Sequence, residues 1–119
     1  MKKIALARRL PPPVLDQLRQ FGELLMPPSD ALPDKAGLKE LLRDADAALV
    51  TALDVVDADT ITACPRLRLL CNIGVGYDNI DVAAARSRGI TVTNTPGVMD
   101  DAVADLVFGL ILGVARRLP

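Results

Sequence analysis

The sequence contains no histidine and no tryptophan, and aromatic residues make up only 3% of its 119 residues. Histidine is the usual general acid or base near neutral pH, so the commonest proton-transfer group of enzymes is missing. So few aromatic rings cannot form a platform for stacked nucleic-acid bases. The lysines and arginines are scattered, and the formal net charge is −1. We therefore expect no nucleic-acid partner.

Cysteine and long hydrophobic runs are also scarce. Cys64 and Cys71 do not form a Cys-x-x-Cys pair, so we expect two buried, reduced thiols in a cytoplasmic protein. The uncharged stretch 106–115 is too short to span a bilayer, and only a few apolar residues follow the lysines at the start. No membrane span and no signal peptide are predicted.

Half of the residues are hydrophobic, and this suffices for one folded domain over residues 1–119. Short apolar runs alternate with amphipathic segments, which predicts strands at 3–7, 23–26, 46–51, 67–73 and 90–94 and helices near 11–21, 38–42, 55–63, 80–88 and 100–117. Such alternation is typical of a parallel sheet with helices on both faces. We predict an α/β, flavodoxin-like three-layer sandwich whose five-stranded parallel sheet has the order 2-1-3-4-5.

The segment CNIGVGYDNID, residues 71–81, places Gly74 and Gly76 between a predicted strand and a predicted helix. A dinucleotide fingerprint needs a third glycine, and Asn79 stands in its place. Two interpretations remain open. The glycines can simply form a tight turn, with Asp78 or Asn79 capping the next helix. Alternatively, the backbone N–H groups of Val75 and Gly76 face outward and bind a small anion such as a carboxylate.

Acidic residues elsewhere have simpler explanations than a metal site. Asp100 and Asp101 open the longest predicted helix, where capping and the helix dipole favour carboxylates. Asp54, like Asp57 and Asp59, is expected to be a solvated loop or helix-start residue. The chain also lacks the serine- and threonine-rich loop of a flavodoxin and the phosphorylatable aspartate of a receiver domain. No metal site is predicted.

The block from Cys71 to Pro119 resembles the amino-terminal portion of the D-2-hydroxyacid dehydrogenases, with the glyoxylate/hydroxypyruvate reductase branch as the nearest match. The residues that carry the resemblance are VGYDNID at 75–81, VTNTPGV at 92–98 and the helix that follows. The strand and helix alternation from Lys3 extends the resemblance over most of the chain. Members of that family combine a flavodoxin-like substrate domain with a Rossmann domain that binds NADH or NADPH.

The resemblance implies roles for four residues of this sequence. The amides of Val75 and Gly76 would hold the carboxylate of a small 2-keto or 2-hydroxy acid, and Leu53 would line the same pocket. Val103, early in the last helix, would approach the nicotinamide cofactor from the side of the substrate domain. The family's catalytic arginine, histidine and glutamate, and its three-glycine loop, have no counterpart in the matched block.

The resemblance therefore implies the substrate-binding half of an NAD(P)H-dependent reductase that stops before the cofactor domain. We expect the isolated chain to be inactive, to contain no catalytic residue and no cofactor of its own, and to bind the acid weakly. A stand-alone or engineered flavodoxin-like module without a catalytic role is the alternative.

The last predicted helix, 100–117, is apolar nearly all round, and one stripe along it consists of Val103, Leu106, Val107, Leu110, Ile111 and Val114. A helix of this kind is buried on more than one side. It either packs fully within its own domain or meets another domain or subunit. We expect the second arrangement, in the form of a homodimer that pairs through this helix or exchanges it between copies.

Overall fold

The computed structural model describes residues 1–29 and 31–118; positions 30 and 119 of the expected 1–119 domain lie outside the described residues. Strands and helices alternate throughout. They are β1 (Lys3–Leu6), α1 (Pro12–Arg19), β2 (Glu23–Leu25), α2 (Lys35–Leu42), β3 (Ala47–Thr51), α3 (Ala58–Thr62), β4 (Leu69–Ile73), α4 (Val82–Ser87), β5 (Thr91–Thr93) and α5 (Asp100–Arg116).

The strands form one parallel sheet with the order β2-β1-β3-β4-β5. This order confirms the predicted flavodoxin-like α/β topology. Because all strands run the same way, the loops that follow them leave the sheet at one edge, which we call the carboxyl edge. Thr51 pairs with Ile73 at the ends of β3 and β4, so the loops after these two strands start side by side.

The core lies on one face of the sheet. Alternate strand residues face it, such as Ala5, Ala48 and Leu70, and they pack against Leu38 of α2 and Ile61 of α3. Each of these side chains is at most 2% exposed. The period of two along the strands explains why the intervening residues lie on the other face.

The second face of the sheet is only partly covered. Ile4, Leu49, Leu69 and Cys71 line a trough there, with Leu18 of α1 at its side. The trough has a volume of about 410 Å³. Parallel sheets are normally covered on both faces, so this trough is apolar surface that lacks a partner among the described residues. Cys71, predicted to be buried, is therefore only half-buried.

Three of the helices begin at aspartates that cap them. The carboxylates of Asp34, Asp57 and Asp81 accept hydrogen bonds from backbone N–H groups three residues later, at 2.7, 2.9 and 2.9 Å. The prediction that Asp78 or Asn79 caps α4 is therefore wrong, because Asp81 stands nearer the first helical turn. Gly89 has φ +67° one position after the C-cap residue Arg88, where a left-handed glycine commonly ends a helix.

α5 projects from the rest of the molecule. None of its residues is buried. Its large apolar side chains are each 48% to 81% exposed; they are Val103, Leu106, Val107, Phe108, Leu110, Ile111, Leu112 and Val114. The alternative in which the helix packs fully within its own domain is therefore wrong. The helix ends at Arg116 rather than at the predicted 117, because Arg117 adopts a left-handed conformation with φ 53°.

The aspartates before α5 also differ from prediction. The N-cap position is Met99, and no side chain there accepts a hydrogen bond from the first turn. Asp100 and Asp101 instead occupy the first turn itself, where the helix dipole favours their negative charge. Their contribution is electrostatic and not a capping hydrogen bond.

Candidate functional site

The Val75–Gly76 segment lies at the carboxyl edge, directly after β4. Both residues are exposed, with Val75 at 49%. The loop after β3, which contains Leu53, and the segment 94–95 after β5 flank it on either side. The sequence correctly predicted that this segment faces outward at the strand ends, where ligands of open α/β sheets bind.

Hydrogen bonds from the segment after β5 set the direction of two peptide groups. The N–H of Thr95 donates to the carbonyl oxygen of Gly74 at 2.9 Å, and Nδ2 of Asn94 donates to that of Val75 at 2.8 Å. In a trans peptide, the C=O and the following N–H point in opposite directions. The N–H groups of Val75 and Gly76 therefore point away from the 94–95 segment.

These two N–H groups, which we call the amide pair, donate to no atom of the residues that the structure describes. By contrast, the N–H of Gly74 donates to Oγ1 of Thr95 at 3.0 Å. Two adjacent donors on exposed residues, both directed away from the 94–95 segment, are suited to bind a small anion.

The glycines of the loop are not required by the turn. Neither Gly74 nor Gly76 has a positive φ, and a Cβ at Gly76 would come no nearer than 3.9 Å to another atom, Oδ2 of Asp78. The fold alone would therefore accept a side chain at this position. This observation favours the anion-binding interpretation over a glycine pair that merely forms a tight turn.

Two asparagines support the amide pair from beneath. Nδ2 of Asn72, a residue only 1% exposed, donates to the carbonyl oxygen of Gly76 at 2.7 Å. Nδ2 of Asn79 donates to the carbonyl oxygens of Thr51 and Asp54 at 3.0 and 2.9 Å, and the two asparagine amides lie 3.2 Å from each other. Asn79 thus joins the loop after β4 to the loop after β3.

Leu53 lies in the loop that Asn79 holds. Its side chain is 71% exposed and lines a small cavity of about 140 Å³ together with Pro33, Leu38 and Val55. Val75 does not line that cavity. The structure therefore brings Leu53 and the amide pair to the same edge but not into one closed pocket, and the shared role of these residues stays a prediction.

Asp54 fixes the start of the same loop. It is 3% exposed, so the expectation that it is solvated is wrong. Its Oδ1 accepts from Nη2 of Arg8 at 2.8 Å, and its Oδ2 accepts from the N–H and hydroxyl of Thr51 at 2.8 and 2.9 Å. A buried carboxylate needs such partners, and the Arg8 pair links the end of β1 to the end of β3.

Val103 lies in the first turns of α5 and is 52% exposed. Its N–H donates to the carbonyl oxygen of Met99, and Val103 does not line the cavity beside Leu53 or the one beside Tyr77. Its role beside a cofactor stays a prediction. The residues that sequence reasoning missed are Asn72 and Asn94, and the bridging role of Asn79 was missed as well.

The loop after β4 lacks the features of a phosphate-binding loop for a dinucleotide. The third glycine of a phosphate-binding loop is replaced by Asn79, whose side chain is already bonded to two carbonyl groups. The helix that follows, α4, has six residues, and the carboxylate of Asp81 accepts a hydrogen bond from the N–H of Ala84 in its first turn. A pyrophosphate at that helix start would meet the negative charge of Asp81.

Within residues 1–29 and 31–118, no three histidine, cysteine, aspartate or glutamate side chains are grouped as a metal site would require. None of the helices in that part of the chain combines the length and the hydropathy needed to cross a bilayer.

The chain matches the family model described as "D-isomer specific 2-hydroxyacid dehydrogenase, catalytic domain" over residues 4–109. A glyoxylate reductase of Thermococcus litoralis is 40% identical over 116 residues, which cover 98% of this chain and 35% of the relative. The chain thus spans about 35% of the length of the curated relatives that it matches.

Solved structures give the same result. A protein of Thermus thermophilus matches with a TM-score of 0.89 and 38% identity, over 98% of this chain and 37% of that chain. An NADPH-dependent glyoxylate/hydroxypyruvate reductase of Sinorhizobium meliloti, solved in complex with NADP and malonate, matches with a TM-score of 0.72 and 34% identity, over 94% of this chain and 34% of that chain.

Proposed function

The chain belongs to the D-isomer specific 2-hydroxyacid dehydrogenase family, and we propose that its amide pair binds the carboxylate of a small 2-keto or 2-hydroxy acid. The observation that carries the proposal is the pair of outward N–H groups of Val75 and Gly76, held in direction by Asn94 and Thr95. The relatives named glyoxylate reductase support an acid of two or three carbons as the ligand.

The chemistry of the pair sets the expected affinity. Two neutral N–H donors satisfy a carboxylate less well than a bidentate arginine does. The carboxylate of Asp78 lies close to Gly76 and opposes an anionic ligand. We therefore expect a Kd on the order of millimolar or weaker.

A substitution at Gly76 tests the proposal. Because the space around its missing Cβ is open, Gly76→Val should fold normally while its side chain covers the amide pair. We expect binding of glycolate, followed by ligand-detected NMR, to weaken at least about fivefold, which equals about 1 kcal/mol. Glycolate is chosen because it lacks an aldehyde that would react with lysines.

The control is Gly109→Val in α5, where a Cβ also meets no atom within 4 Å. This variant should bind glycolate like the unchanged chain. Equal affinity in all three proteins would contradict the assignment of the amide pair as the binding site.

We further propose that the 119 residues alone do not catalyse hydride transfer. Reduction of a 2-keto acid by NADH or NADPH delivers hydride to the keto carbon and a proton to its oxygen. The family resemblance assigns that proton to a histidine, and the sequence has none. NADH oxidation with glyoxylate should stay at the background of the buffer, whereas turnover by the purified chain would contradict this expectation.

We also propose a homodimer in which α5 of each copy covers the trough on the second sheet face of the other. Both surfaces are apolar, both belong to this chain, and neither has a partner among the described residues. α5 is about 25 Å long, enough to cross several strands of a sheet spaced about 5 Å apart. Exchange of an identical element between copies is a low-cost route to a dimer.

Light scattering distinguishes this dimer from a monomer. Leu106→Glu places a charge on the exposed stripe of α5 and should give a monomeric mass at concentrations where the unchanged chain is dimeric. Leu32→Glu is the control, because Leu32 is 59% exposed against 63% for Leu106 but lies outside α5. A monomeric mass for the unchanged chain at high concentration would contradict the proposal.

A further inference from the structure

The side chain of Asn94 contacts the peptide group that contains the N–H of Gly76. Its Nδ2 donates to the carbonyl oxygen of Val75 at 2.8 Å, although the two residues are 19 positions apart. The carbonyl of Val75 and the N–H of Gly76 belong to the same trans peptide. A bond to the carbonyl therefore fixes the direction of the N–H on the opposite side.

The neighbouring peptide groups are held by other donors. The N–H of Thr95 fixes the peptide that contains the N–H of Val75, and Asn72 holds the carbonyl of Gly76 from the buried side. The peptide between Val75 and Gly76 has Asn94 as its one donor among the described residues. Without that donor, this peptide group could rotate while its neighbours stay fixed.

We propose that Asn94 is a positioning residue that aims the N–H of Gly76 at the carboxylate of the bound acid. This inference rests on the proposed function of the amide pair and names the side chain that fixes the direction of one of its two N–H groups. Asn94 does not touch the ligand in this account. It acts through the peptide group, so that the N–H of Gly76, like that of Val75, already points away from the 94–95 segment before the ligand arrives.

Three variants test the role of Asn94. Asn94→Ala removes the donor, and Asn94→Asp keeps the shape but faces the carbonyl of Val75 with an acceptor. Asn94→Ser keeps a short side chain with a hydroxyl donor. Ser87→Ala is the control, because its hydroxyl likewise donates to a backbone carbonyl, that of Ala84, on the exposed surface of α4.

Two NMR readouts are measured for each variant. The first is the backbone order parameter of the Gly76 amide without ligand, which should fall in the alanine and aspartate variants and stay unchanged in the control. The second is the Kd for glycolate, which should rise about fivefold in Asn94→Ala, the equivalent of one hydrogen bond of about 1 kcal/mol. Asn94→Ser should recover part of both losses.

The two readouts separate the inference from the function on which it rests. If the unchanged chain does not bind glycolate, the proposed function fails, and the order parameter alone decides whether Asn94 orients the peptide. If the Gly76 amide is equally ordered in the unchanged chain and in Asn94→Ala, the positioning role is wrong whatever the affinity. A fall in order with unchanged affinity would also overturn the proposal.

Discussion

At the scale of single residues, the candidate site depends on main-chain groups whose direction is set by side chains of other loops. The position of the amide pair, exposed and directly after β4, could be predicted because glycines that follow an apolar strand are recognisable in the sequence, while anion binding there stays a prediction. The bridging of Asn79 could not be predicted, because its partners are carbonyl groups of Thr51 and Asp54, which every residue possesses. The burial of Asp54 likewise depends on Arg8, which is 46 positions away.

Removal of the Asp78 charge should strengthen binding at the amide pair. Oδ2 of Asp78 lies 3.9 Å from the position of a Cβ at Gly76, so its charge opposes an anion bound there. Two like charges at about 4 Å in water repel by about 1 kcal/mol. Asp78→Asn should therefore lower the Kd for glycolate about two- to fivefold at low salt, with a smaller gain at 0.5 M salt because ions screen the repulsion.

The measurement is the NMR titration with glycolate at two salt concentrations. Asp44→Asn is the control, because Asp44 follows α2 and lies near Lys3 and Leu24 at the amino ends of the strands. A Kd that does not change in Asp78→Asn would place the ligand away from Gly76.

Loss of the Asn79 side chain should destabilise the fold at the carboxyl edge. The Asn79→Ala variant removes the donor to the carbonyl oxygen of Asp54 and to Oδ1 of the buried Asn72, whereas Nδ2 of Asn72 keeps its bond to Gly76. Unpaired buried polar groups cost about 1 to 3 kcal/mol each, so we expect the free energy of unfolding to fall by about 2 to 3 kcal/mol.

Urea denaturation measures this loss. Thr62→Ala removes an exposed hydroxyl that donates to the carbonyl of Ala58 and should change the stability by less than about 0.5 kcal/mol. If Asn79→Ala changes the free energy of unfolding no more than Thr62→Ala does, the hydrogen bonds of Asn79 contribute nothing to the stability of the fold.

At the scale of elements, alternation of apolar and amphipathic segments was enough to predict every strand and helix and the order of the sheet. The ends of the elements were less accurate because capping depends on single residues. α4 begins after Asp81 and not at 80, and α3 begins after Asp57, three residues later than the predicted 55. The capping aspartates can be recognised in the sequence as candidates, but local backbone geometry decides which of several neighbouring aspartates caps the helix.

Acid should destabilise the start of α3. The hydrogen bond from Nζ of Lys35 at 2.6 Å and the bonds from Thr60 hold the pKa of Asp57 well below its usual range. The unfolded chain therefore takes up a proton near pH 4 while the folded chain does not. The stability that ionised Asp57 contributes is fully present above the pKa of the unfolded chain. It is lost as the pH falls from there to the lower pKa that Asp57 has in the folded chain.

Asp57→Asn keeps a capping oxygen but carries no charge. Thermal unfolding between pH 3 and pH 6 should show a shallower loss of Tm on acidification for this variant than for the unchanged chain. Asp46 should behave in the same way, because the N–H of Lys3 lowers the pKa of that carboxyl. Parallel curves for Asp57→Asn and the unchanged chain would contradict the assigned pKa shift.

At the scale of the whole molecule, the projection of α5 dominates the shape. The radius of gyration is 17.1 Å and the extents are 55 × 32 × 24 Å, whereas a compact chain of this length has a radius of about 13.5 Å. The apolar character of the helix was visible in the sequence. The uncovered trough was not, because it depends on which face of the sheet the other helices leave open.

The proposed exchange of α5 predicts protection of one cysteine. Cys71 lines the trough, whereas Cys64 is buried, and burial raises the pKa of its thiol. Alkylation of Cys71 should slow as the protein concentration rises, because the dimer covers the trough, and Cys64 should stay unreactive throughout. In the Leu106→Glu variant, which should stay monomeric, alkylation of Cys71 should be fast at every protein concentration.

Mass spectrometry of the alkylated peptides assigns the rate to each cysteine, and Leu32→Glu should behave like the unchanged chain. If Cys71 reacts at the same rate at all concentrations while light scattering shows a dimer, then the copies pair through α5 without covering the trough.

A residue-resolved NMR titration with glycolate and its uncharged analogue glycolamide tests the central claim, that bare main-chain donors at the end of β4 select a carboxylate. The account predicts that glycolate shifts the amide resonances of Val75 and Gly76 more than any others, and that glycolamide at equal concentration leaves them nearly unchanged. Equal shifts with both compounds, or glycolate shifts that centre on residues away from the carboxyl edge, would contradict it.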